Sequence, residues 1–489
     1  MEIELKLALD TRHAARLKRH PLLAEAKPRR RHLHSVYFDT PEFDLMRRCL
    51  AFRLRRVGYH WVQTLKAESR AVGALSSRPE WEMAVAGSEP DFAVLPDEAL
   101  ARLADIDLAR LAPVFVTDFR RATWDLEIGE SVVELALDSG EIQAGDGRMP
   151  ISEVEVELKS GHASDLFDLA DILLQAVPLR VEPRSKAERG YLLCEAVVPE
   201  PVRVVRPSIF PARPAGEAWA AVGAAALAQV VANVPGFLEH PEDIEYLHQL
   251  RIALRRLRGF IGLGRSLDIA RPAWSQTLGE VMRGLNAARD WDVFQHETLP
   301  SVEDALSGSP LGEEFLDSLR RSARRARHEA QERVASPVFT RLVLDIGARL
   351  QDIPPTPSET APWATDLLDE RWKKLRKLCR KPSELGPGGR HEARIAAKKL
   401  RYAADALAGL YGKRGKDFIK RLAELQDCLG RANDAYIATR LLEDLRGSSL
   451  AFAYDAGRIS GVMSERIANH GNLSDVVWRR MARARPFWR

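Results

Sequence analysis

Hydrophobic and polar residues alternate along several short segments in the first two hundred positions of the chain. A period of two is that of a β-strand, whose successive side chains point to opposite faces of a sheet. This alternation is absent at 11–20 and 162–176, where we predict helices. The turn-forming residues Asp138-Ser139-Gly140 are predicted to separate two strands. The predicted strands are 2–6, 51–56, 61–66, 79–85, 131–137 and 152–159.

A proline-rich segment follows this alternating region. Five prolines fall between Pro199 and Pro214. Such a segment is typical of an extended linker between domains. We therefore expect a first domain at 1–198, a linker at 199–215 and a second domain at 216–489.

The second domain has a helical pattern that occurs twice. Apolar residues lie three and four positions apart from Glu217 onward, and a second proline-rich stretch at 354–362 divides the region. The segments HQLRIALRRLR and HEARIAAKKLR begin at His248 and His391, 143 residues apart, and a second matched pair follows at an offset of 144. These repeats predict a duplicated all-α bundle with halves at about 216–353 and 363–489. The fold class is then α+β multidomain.

The composition and the distribution of residue types exclude several classes of protein. Hydrophobic residues make up 45% of the 489 positions and charged residues 29%, which excludes a disordered or fibrous chain. No CxxC pair occurs, so a cysteine metal site is disfavoured. The first residues lack the apolar run of a signal peptide. The apolar stretch 218–231 is shorter than the ~20 residues of a spanning helix. We therefore expect a cytoplasmic protein without a membrane partner.

Charge is distributed unevenly, although the net charge is only +4. Acids and bases alternate in the first domain, whereas arginines and lysines form runs in the second. Local basic runs attract polyanions even when the whole chain is near neutrality.

Several predicted strands in the first domain have one charged face. Glu2, Glu4 and Lys6 share a face, as do Glu153, Glu155 and Glu157 on a later strand and Arg53 and Arg55 on another. One such strand is more often the solvated face of a sheet. Several of them favour a closed sheet with a charged interior. Carboxylates bind a hard divalent cation, and arginine and lysine bind phosphate oxygens.

The ExExK pattern at Glu2, Glu4 and Lys6 resembles the signature of the CYTH, or triphosphate tunnel metalloenzyme, superfamily. The pattern alone has little specificity, but further matching segments follow in order over residues 1 to about 197. These are 37–41 (YFDTP), 50–55, 64–66, 78–82, 119–124, 137–140, 152–161 and 185–191.

The resemblance implies an eight-stranded antiparallel β-tunnel, or barrel, that hydrolyses inorganic triphosphate or a related triphosphate compound. Glu80 and Glu82 would orient basic groups or assist with metal. The catalytic residues would be Lys6 with Glu2 and Glu4. The residues that bind the triphosphate would be Arg53, Arg55, Lys66, Arg78, Arg121 and Lys186. The ligands of Mg²⁺ or Mn²⁺ would be Glu2, Glu4, Glu155 and Glu157, with Asp138 assisting.

Two assignments in this scheme have alternatives. Arg120 competes with Arg121 for one role, and we prefer Arg121 because of its spacing to Trp124. Glu153 is a third acid on the face of Glu155 and Glu157, so the metal register could be displaced by two residues. Adenylate cyclases and thiamine triphosphatases would share the same tunnel residues.

The repeated segments of the second domain each place a histidine and three cations on one helical stripe. His248, Arg251, Arg255 and Arg258 are spaced three, four and three, which aligns them along a helix. One such stripe is usually a solvated face, whereas two copies favour an anion-binding groove. The second copy consists of His391, Arg394, Lys398 and Arg401.

The two HxxRIxx(R/K)(R/K)LR segments resemble the CHAD domain, a helical domain that binds inorganic polyphosphate. The resemblance covers about 217–489 and implies polyphosphate binding by both stripes. Metal binding by the histidines is less favoured, since carboxylates are sparse beside them. Nucleic acid is an unlikely partner, because few aromatic residues lie between the basic ones. A scaffold that binds polyphosphate and carries a weak or vestigial tunnel is the alternative function.

Overall fold

A computed structural model of the chain describes residues 2–67, 70–72, 74–303, 312–446, 450–468 and 471–489. The chain forms two compact units. The sheet unit contains Met1–Arg203, Leu227–His240 and Val334–Asp352. The helical unit contains Val204–Ala226, Pro241–Arg333 and Ile353–Arg489.

Eleven strands form one antiparallel sheet in the described part of the chain. Their order is β5-β6-β1-β10-β9-β8-β2-β3-β4-β7, and β11 pairs with β1. The strands are β1 (Glu2–Leu9), β2 (Arg29–Asp39), β3 (Ala51–Val57), β4 (His60–Lys66), β5 (Arg70–Val72), β6 (Leu75–Arg78), β7 (Glu80–Val85), β8 (Ala112–Ile128), β9 (Ser131–Ala144), β10 (Gly147–Ser160) and β11 (Leu179–Val181).

The six strands predicted from alternation are confirmed, but the eight-stranded closed barrel is wrong. Among the described strands, the path of paired strands ends at β5 on one side and at β7 on the other. Strands β6 and β7 are separated only by Pro79, which has no N–H to donate to a ladder. One continuous segment therefore pairs first with β1 and then with β4. The sheet curves around an interior without closing through hydrogen bonds.

The predicted turn at Asp138-Ser139-Gly140 is also wrong, because all three residues lie inside β9. Gly140 is instead required by the close approach of the neighbouring strand β8. A Cβ atom on Gly140 would lie 2.1 Å from the carbonyl oxygen of Asp118 and 2.4 Å from the Cα of Phe119. Glycine inside a strand often marks such an approach rather than a turn.

The alternation of residues sorts apolar and charged side chains to opposite faces of the sheet. Leu5 and Leu7 of β1 are fully buried, as are Phe52 and Leu54 of β3. Residues at the intervening positions face the interior around which the sheet curves. The apolar faces are covered by helices and loops, among them α5, so the charged faces are left to line the interior.

The chain contains eighteen described α-helices. The predicted helix at 11–20 is reduced to a 3₁₀ turn and α1, whereas the predicted helix at 162–176 is confirmed as α5. The helices of the first two hundred residues are α1 (Ala14–Leu17), α2 (Pro21–Ala24), α3 (Asp44–Arg47), α4 (Asp97–Arg102), α5 (Ser164–Ala176) and α6 (Lys186–Leu193). Those that follow are α7 (Ala215–Glu239), α8 (Ile244–Gly264), α9 (Ser275–Gly284), α10 (Asn286–Val293), α11 (Leu299–Glu303), α12 (Glu313–Ala335), α13 (Pro337–Gln351), α14 (Thr360–Leu378), α15 (Pro387–Leu407), α16 (Lys416–Arg446), α17 (Leu450–Ala468) and α18 (Gly471–Ala482).

Helix α13 is packed into the sheet unit, although it lies far along the chain from the strands. Thr340 donates a hydrogen bond of 2.7 Å to the carbonyl of Leu179 in β11, and Arg341 is 2.7 Å from Asp171 of α5. Glu239 at the end of α7 forms an ion pair of 2.6 Å with Arg184. These contacts explain why 227–240 and 334–352 belong to the sheet unit.

The helical C-terminal region is confirmed, and its two most similar segments have equal helices. Helices α8 and α15 are each 21 residues long and begin 143 residues apart, the offset found in the sequence. The segments that follow differ. Helices α9 and α10 with a π-helical turn at Phe294–Thr298 stand where the second copy has the single 31-residue helix α16.

The proline-rich segment has no helix or strand between 198 and 213. It is nonetheless held by hydrogen bonds. Within the sheet unit, the N–H of Val202 donates a hydrogen bond of 2.9 Å to Asn233 Oδ1. Within the helical unit, the N–H of Thr360 donates a hydrogen bond of 2.9 Å to the carbonyl of Arg213. The domain division at 199–215 remains a prediction.

Helix α7 is long and apolar enough to cross a membrane by length and composition. However, 67% of its most apolar window is buried inside the folded protein, and core helices have the same properties.

Candidate functional site

A cavity of about 820 Å³ occupies the interior of the sheet unit. Its lining includes nine of the residues predicted to take part in catalysis or to bind metal or triphosphate. Eight of them come from strands that are distant in sequence but meet around one interior because the sheet is curved, and Lys186 begins α6. These nine residues are Glu4, Lys6, Arg53, Arg55, Lys66, Arg121, Glu155, Glu157 and Lys186.

One wall of the cavity, here called the acid wall, is formed by β1, β9 and β10. Glu4 of β1 pairs directly with Glu157 of β10, and Lys6 pairs with Glu155. Glu4 and Lys6 are each only 6% exposed. Burial opposes ionisation of Glu155, but the charges of Lys186, Arg121 and Lys6 outweigh it and hold its pKa well below the usual range. The wall therefore presents ionised oxygens to the cavity.

A group of three carboxylates lies at one end of the acid wall. Asp138, Glu153 and Glu155 each offer an oxygen within 4.8 Å of the others. The ammonium of Lys186 lies 2.7 Å from Asp138 Oδ2 and 2.9 Å from Glu155 Oε1, and it also contacts Glu153. Burial disfavours the charge on Lys186, yet the three carboxylates raise its pKa. Lys186 therefore holds the acids together, and its predicted contact with phosphate stays a prediction.

The opposite wall, here called the base wall, is formed by β3 and β4 with one residue of β2. Arg53 is 7% exposed, and its guanidinium lies 3.6 Å from Glu80. Lys66 lies 2.5 Å from the same carboxylate. Glu80 thus links two cations of this wall, and the role of orienting them stays a prediction.

Arg55 is the cation of the base wall with the least compensation. Its Nε donates 2.9 Å to Ser35 Oγ, and it forms no ion pair with a described residue. Burial and then repulsion from Arg53 lower its pKa to about 9. A bound anion would raise the pKa of Arg55 towards the ordinary value of a guanidinium. The position of Arg55 therefore suits an anionic ligand.

The side chains of Arg120 and Arg121, the two candidates for one role, point in different directions. Arg121 lines the cavity and bonds to Asp138 at 2.6 Å, whereas Arg120 is exposed on the other face of β8. Glu153 is fully buried and bonds to Lys186 and Arg189. The side chains of Glu2 and Arg78 lie outside the described residues, although their backbones pair between β1 and β6.

Sequence reasoning gave no role to several residues that line the cavity, among them Glu134 and Tyr37. Glu134 of β9 pairs directly with Glu157 and extends the acid wall. Glu134 and Asp138 lie four positions apart on the same strand and therefore share a face of the sheet. This spacing was the signal in the sequence that could have identified Glu134. Tyr37 lines the base wall, where burial opposes ionisation but Arg53 and Arg55 lower the pKa of its phenol. It had been noted only as part of a motif.

The carboxylates of the acid wall fit a divalent metal. Oxygen atoms from Asp and Glu are the donors that hard cations such as Mg²⁺ and Mn²⁺ prefer. Glu155 belongs to the group of three clustered acids. Glu4 and Glu157 pair with each other and face the cavity at the next cavity-facing position along β1 and β10. The cluster could therefore hold a metal ion, and its donor set does not select between the two metals.

The first histidine stripe of the helical unit forms a crowded group of cations. Arg251 is 8% exposed and donates 2.5 Å to Asn286 Oδ1. Burial and then the charge of Arg255 lower the pKa of Arg251 to about 10. Burial and then the charge of Arg289 lower the pKa of His248. We call His248, Arg251, Arg255 and Arg289 the first-stripe cluster.

The remaining stripe residues have different surroundings. Arg258 is exposed near Lys399, whose pKa is lowered by burial and by the charges of Lys374, Arg371 and Arg258. In the second copy, Arg401 lies 3.7 Å from Asp405. His391 is exposed, and Arg394 and Lys398 are half-buried on α15. Asp290 and Asp434 occupy the same position in the second matched pair of segments, and the side chain of Asp434 lies outside the described residues.

Comparison with known proteins assigns both regions to families. The CYTH domain matches residues 1–191, and the CHAD domain matches residues 221–443. An inorganic triphosphatase from Haemophilus influenzae is 36% identical over 196 residues, which are 39% of this chain and 54% of that protein. The match thus spans about half the length of that relative. The crystal structure of the CHAD domain from the plant Ricinus communis aligns with a TM-score of 0.53 and 28% identity, over 58% of this chain and 98% of that domain. The chain therefore belongs to the proteins in which a CYTH domain is followed by a CHAD domain.

Proposed function

We propose that the sheet unit hydrolyses inorganic triphosphate, or a related triphosphate compound, with the help of Mg²⁺ or Mn²⁺. The observation that carries this proposal is the facing of an acid wall and a base wall across one cavity. A triphosphate is a chain of anionic groups that needs cations along its length. The carboxylates of the acid wall would repel these anionic groups, so they suit the metal ion that would accompany the triphosphate.

The residues would divide the work between the walls. Arg53, Arg55 and Lys66 would bind the phosphate oxygens and hold the chain in one orientation, which favours in-line displacement. Lys6, placed beside Glu4 and Glu155, would balance negative charge as the leaving group separates. Glu4, Glu155 and Glu157 would hold the metal, with Asp138 assisting. The bound metal would neutralise phosphate charge and activate the attacking water.

The relative from Haemophilus influenzae supports the choice of inorganic triphosphate, since it is described as an inorganic triphosphatase. The cavity lining supports it as well. Trp81 and Tyr37 are its aromatic residues among those described, and the remaining lining is mostly charged. A site for an organic group would need more apolar surface.

Phosphate release tests the proposal directly. Purified protein is assayed with inorganic triphosphate, ATP, thiamine triphosphate and long-chain polyphosphate, each with Mg²⁺, Mn²⁺ or excess chelator. We expect release from inorganic triphosphate only with metal. We also expect Glu4→Gln to remove nearly all activity while Glu130→Gln, a change at a 90% exposed side chain, has no effect. Full activity in chelator, or in Glu4→Gln, would refute the mechanism.

We further propose that the helical unit binds inorganic polyphosphate. The first-stripe cluster supports this proposal, because its cations repel one another and a polyanion would relieve the repulsion. The CHAD match over 221–443 supports it independently. Polyphosphate binding without hydrolysis of any triphosphate would favour the scaffold function over the enzyme.

A further inference from the structure

Two histidines of β2 lie on the face of the sheet that points away from the cavity, here called the outer face. His32 and His34 alternate along the strand with Leu33 and Ser35. Ser35 is fully buried, and its hydroxyl accepts a hydrogen bond of 2.9 Å from Arg55 of the base wall. Because successive side chains of a strand point to opposite faces, the two imidazoles are on the outer face. They are partly open to solvent there, with 63% and 42% of their side chains exposed.

One carboxylate of the neighbouring strand contacts both imidazoles. Asp118 of β8 is directly opposite His34 in the ladder. Its Oδ1 lies 2.5 Å from His32 Nε2, and its Oδ2 lies 3.4 Å from His34 Nδ1. Nitrogen and oxygen donors on one tetrahedral zinc ion are roughly 3.3 Å apart, because each bond is about 2.0–2.2 Å long. The three side chains therefore approach the arrangement that zinc needs, and the exposed rings can complete it by rotating about their side-chain torsions.

The charged residues around these three side chains are largely exposed to solvent. Arg120 lies directly opposite the first histidine, and Arg56 lies directly opposite the second. The Nε of Arg56 donates a hydrogen bond of 3.1 Å to a carbonyl in its own hairpin loop, which holds the guanidinium at that loop. Glu141 of β9 lies opposite Asp118 and pairs with Arg148 at 2.6 Å. Water screens such charges, so they oppose a metal ion on this face only weakly.

We propose that His32, His34 and Asp118 bind a zinc ion on the outer face of the sheet. Imidazole nitrogen suits Zn²⁺, Cu²⁺ and Ni²⁺, whereas Mg²⁺ and Mn²⁺ prefer oxygen donors. The site therefore differs in its chemistry from the acid wall, and it is independent of the hydrolysis proposed for the cavity. With three protein ligands, the zinc ion keeps a position for water. Because the ligands come from β2 and β8, the bound ion links these two strands and stabilises the folded sheet.

Isothermal titration of the full chain with Zn²⁺, in excess Mg²⁺ to occupy sites built from oxygen donors, tests the proposal. We expect the wild-type protein to bind one more equivalent of Zn²⁺ than the double variant with His32→Ala and His34→Ala. Each single variant should weaken binding at least tenfold, since even the loss of an outer partner of a ligand commonly costs that much. His162→Ala is the matched control, because His162 is also exposed beside a carboxylate, 3.8 Å from Glu130. The control should keep the full stoichiometry.

Two further measurements identify the donors and their effect on the sheet. Electron paramagnetic resonance of bound Cu²⁺ should show couplings to two imidazole nitrogens that the double variant loses. Zn²⁺ should slow amide hydrogen exchange at Leu33 and Phe119, which pair across β2 and β8, in the wild-type protein and not in the double variant. Equal Zn²⁺ stoichiometry in the two proteins, or nitrogen couplings that persist in the double variant, would overturn the zinc site. Absence of triphosphate hydrolysis would refute the proposed function of the cavity and leave the zinc result unchanged.

Discussion

The phenol of Tyr191 donates a hydrogen bond of 2.9 Å to the buried carboxylate of Asp39, although the two residues are 152 positions apart. Asp39 also accepts hydrogen bonds from the N–H groups of Leu45 and Met46, at 2.8 and 3.0 Å. One carboxylate thus fixes the turn after β2, begins α3 and anchors α6. Two motifs that resemble the CYTH signature, at 37–41 and 185–191, therefore contain residues that build the cavity as well as residues that line it.

We predict that Tyr191→Phe lowers the free energy of unfolding of the sheet unit by about 1 kcal/mol, and that Asp39→Asn lowers it by about 1.5–3 kcal/mol. The amide can accept fewer hydrogen bonds than the carboxylate and leaves buried N–H groups unsatisfied. Amide hydrogen exchange at Leu45 and Met46 provides a local measurement. Tyr59→Phe is the control, because Tyr59 is 94% exposed. Unchanged protection in Asp39→Asn would contradict this role.

The metal register can be tested by comparing two neighbouring acids of β10. We predict that Glu155→Gln weakens Mn²⁺ binding by at least tenfold, as loss of a ligand or its partner commonly does. Glu153→Gln should instead reduce stability, because it leaves the charges of Lys186 and Arg189 less compensated. Electron paramagnetic resonance of bound Mn²⁺ and thermal unfolding are measured on both variants. The opposite pattern would move the metal by two residues.

We predict that the helical unit binds long-chain polyphosphate more tightly than a DNA duplex of comparable charge. Polyphosphate has no bases or sugars to accommodate, whereas duplex DNA requires an element that enters a groove. Affinity for both should fall with salt, as in counterion release. Replacing Arg251, Arg255, Arg394 and Lys398 with alanine should remove most binding. A salt titration of the full chain, with Arg320→Ala and Arg321→Ala as the exposed control pair on α12, provides the measurement. Equal or tighter DNA binding would contradict the prediction.

We predict that polyphosphate raises the pKa of His248. In the free protein, burial and the charge of Arg289 lower this pKa below the usual value of 6.5, so the imidazole is neutral at pH 7. A bound polyanion would favour the imidazolium form. Polyphosphate affinity should therefore increase as pH falls from about 7, within the window between the bound and the lowered free pKa. NMR titration of the imidazole with and without polyphosphate measures both values. An unchanged pKa would exclude contact between His248 and phosphate.

The packing of α13 on α5 gives a prediction for stability. A Cβ atom on Gly347 would lie 2.2 Å from Cε1 of Phe167, a ring that is only 2% exposed. Gly347→Ala should therefore destabilise the sheet unit by about 1–3 kcal/mol. Gly457→Ala, at a helical position with no neighbouring atom within 4 Å, should instead stabilise α17 by about 0.5–1 kcal/mol. Equal unfolding midpoints for both variants would mean that α13 does not pack closely on α5.

Local periodicity predicted the elements better than it predicted their assembly. Alternation placed Glu4, Lys6, Arg53 and Arg55 on the charged faces of strands, because the direction of a side chain follows directly from the strand geometry. Closure of the sheet could not be predicted in this way, since it depends on the interruption of pairing at Pro79. Gly140 was assigned to a turn because sequence does not show that Phe119 of a neighbouring strand approaches its Cα.

The partners of charged residues were equally inaccessible to sequence reasoning. Lys186 was grouped with the phosphate-binding residues, yet its ammonium lies among three carboxylates because α6 places it beside β9 and β10. Glu134 was overlooked because its strand contains only one other acid on the same face, and its neighbour Glu157 is contributed by another strand. Such pairs depend on register, which a single strand cannot reveal.

The membership of α13 in the sheet unit has a consequence for biosynthesis. Domains generally fold in order as a nascent chain leaves the ribosome. When the eleven strands have emerged, the residues that cover α5 and β11 have not yet been translated, because they end at Asp352. The apolar surface around Phe167 is therefore exposed to chaperones and to other nascent chains until about 170 further residues have been added. A gene truncated after the CYTH match would make that exposure permanent.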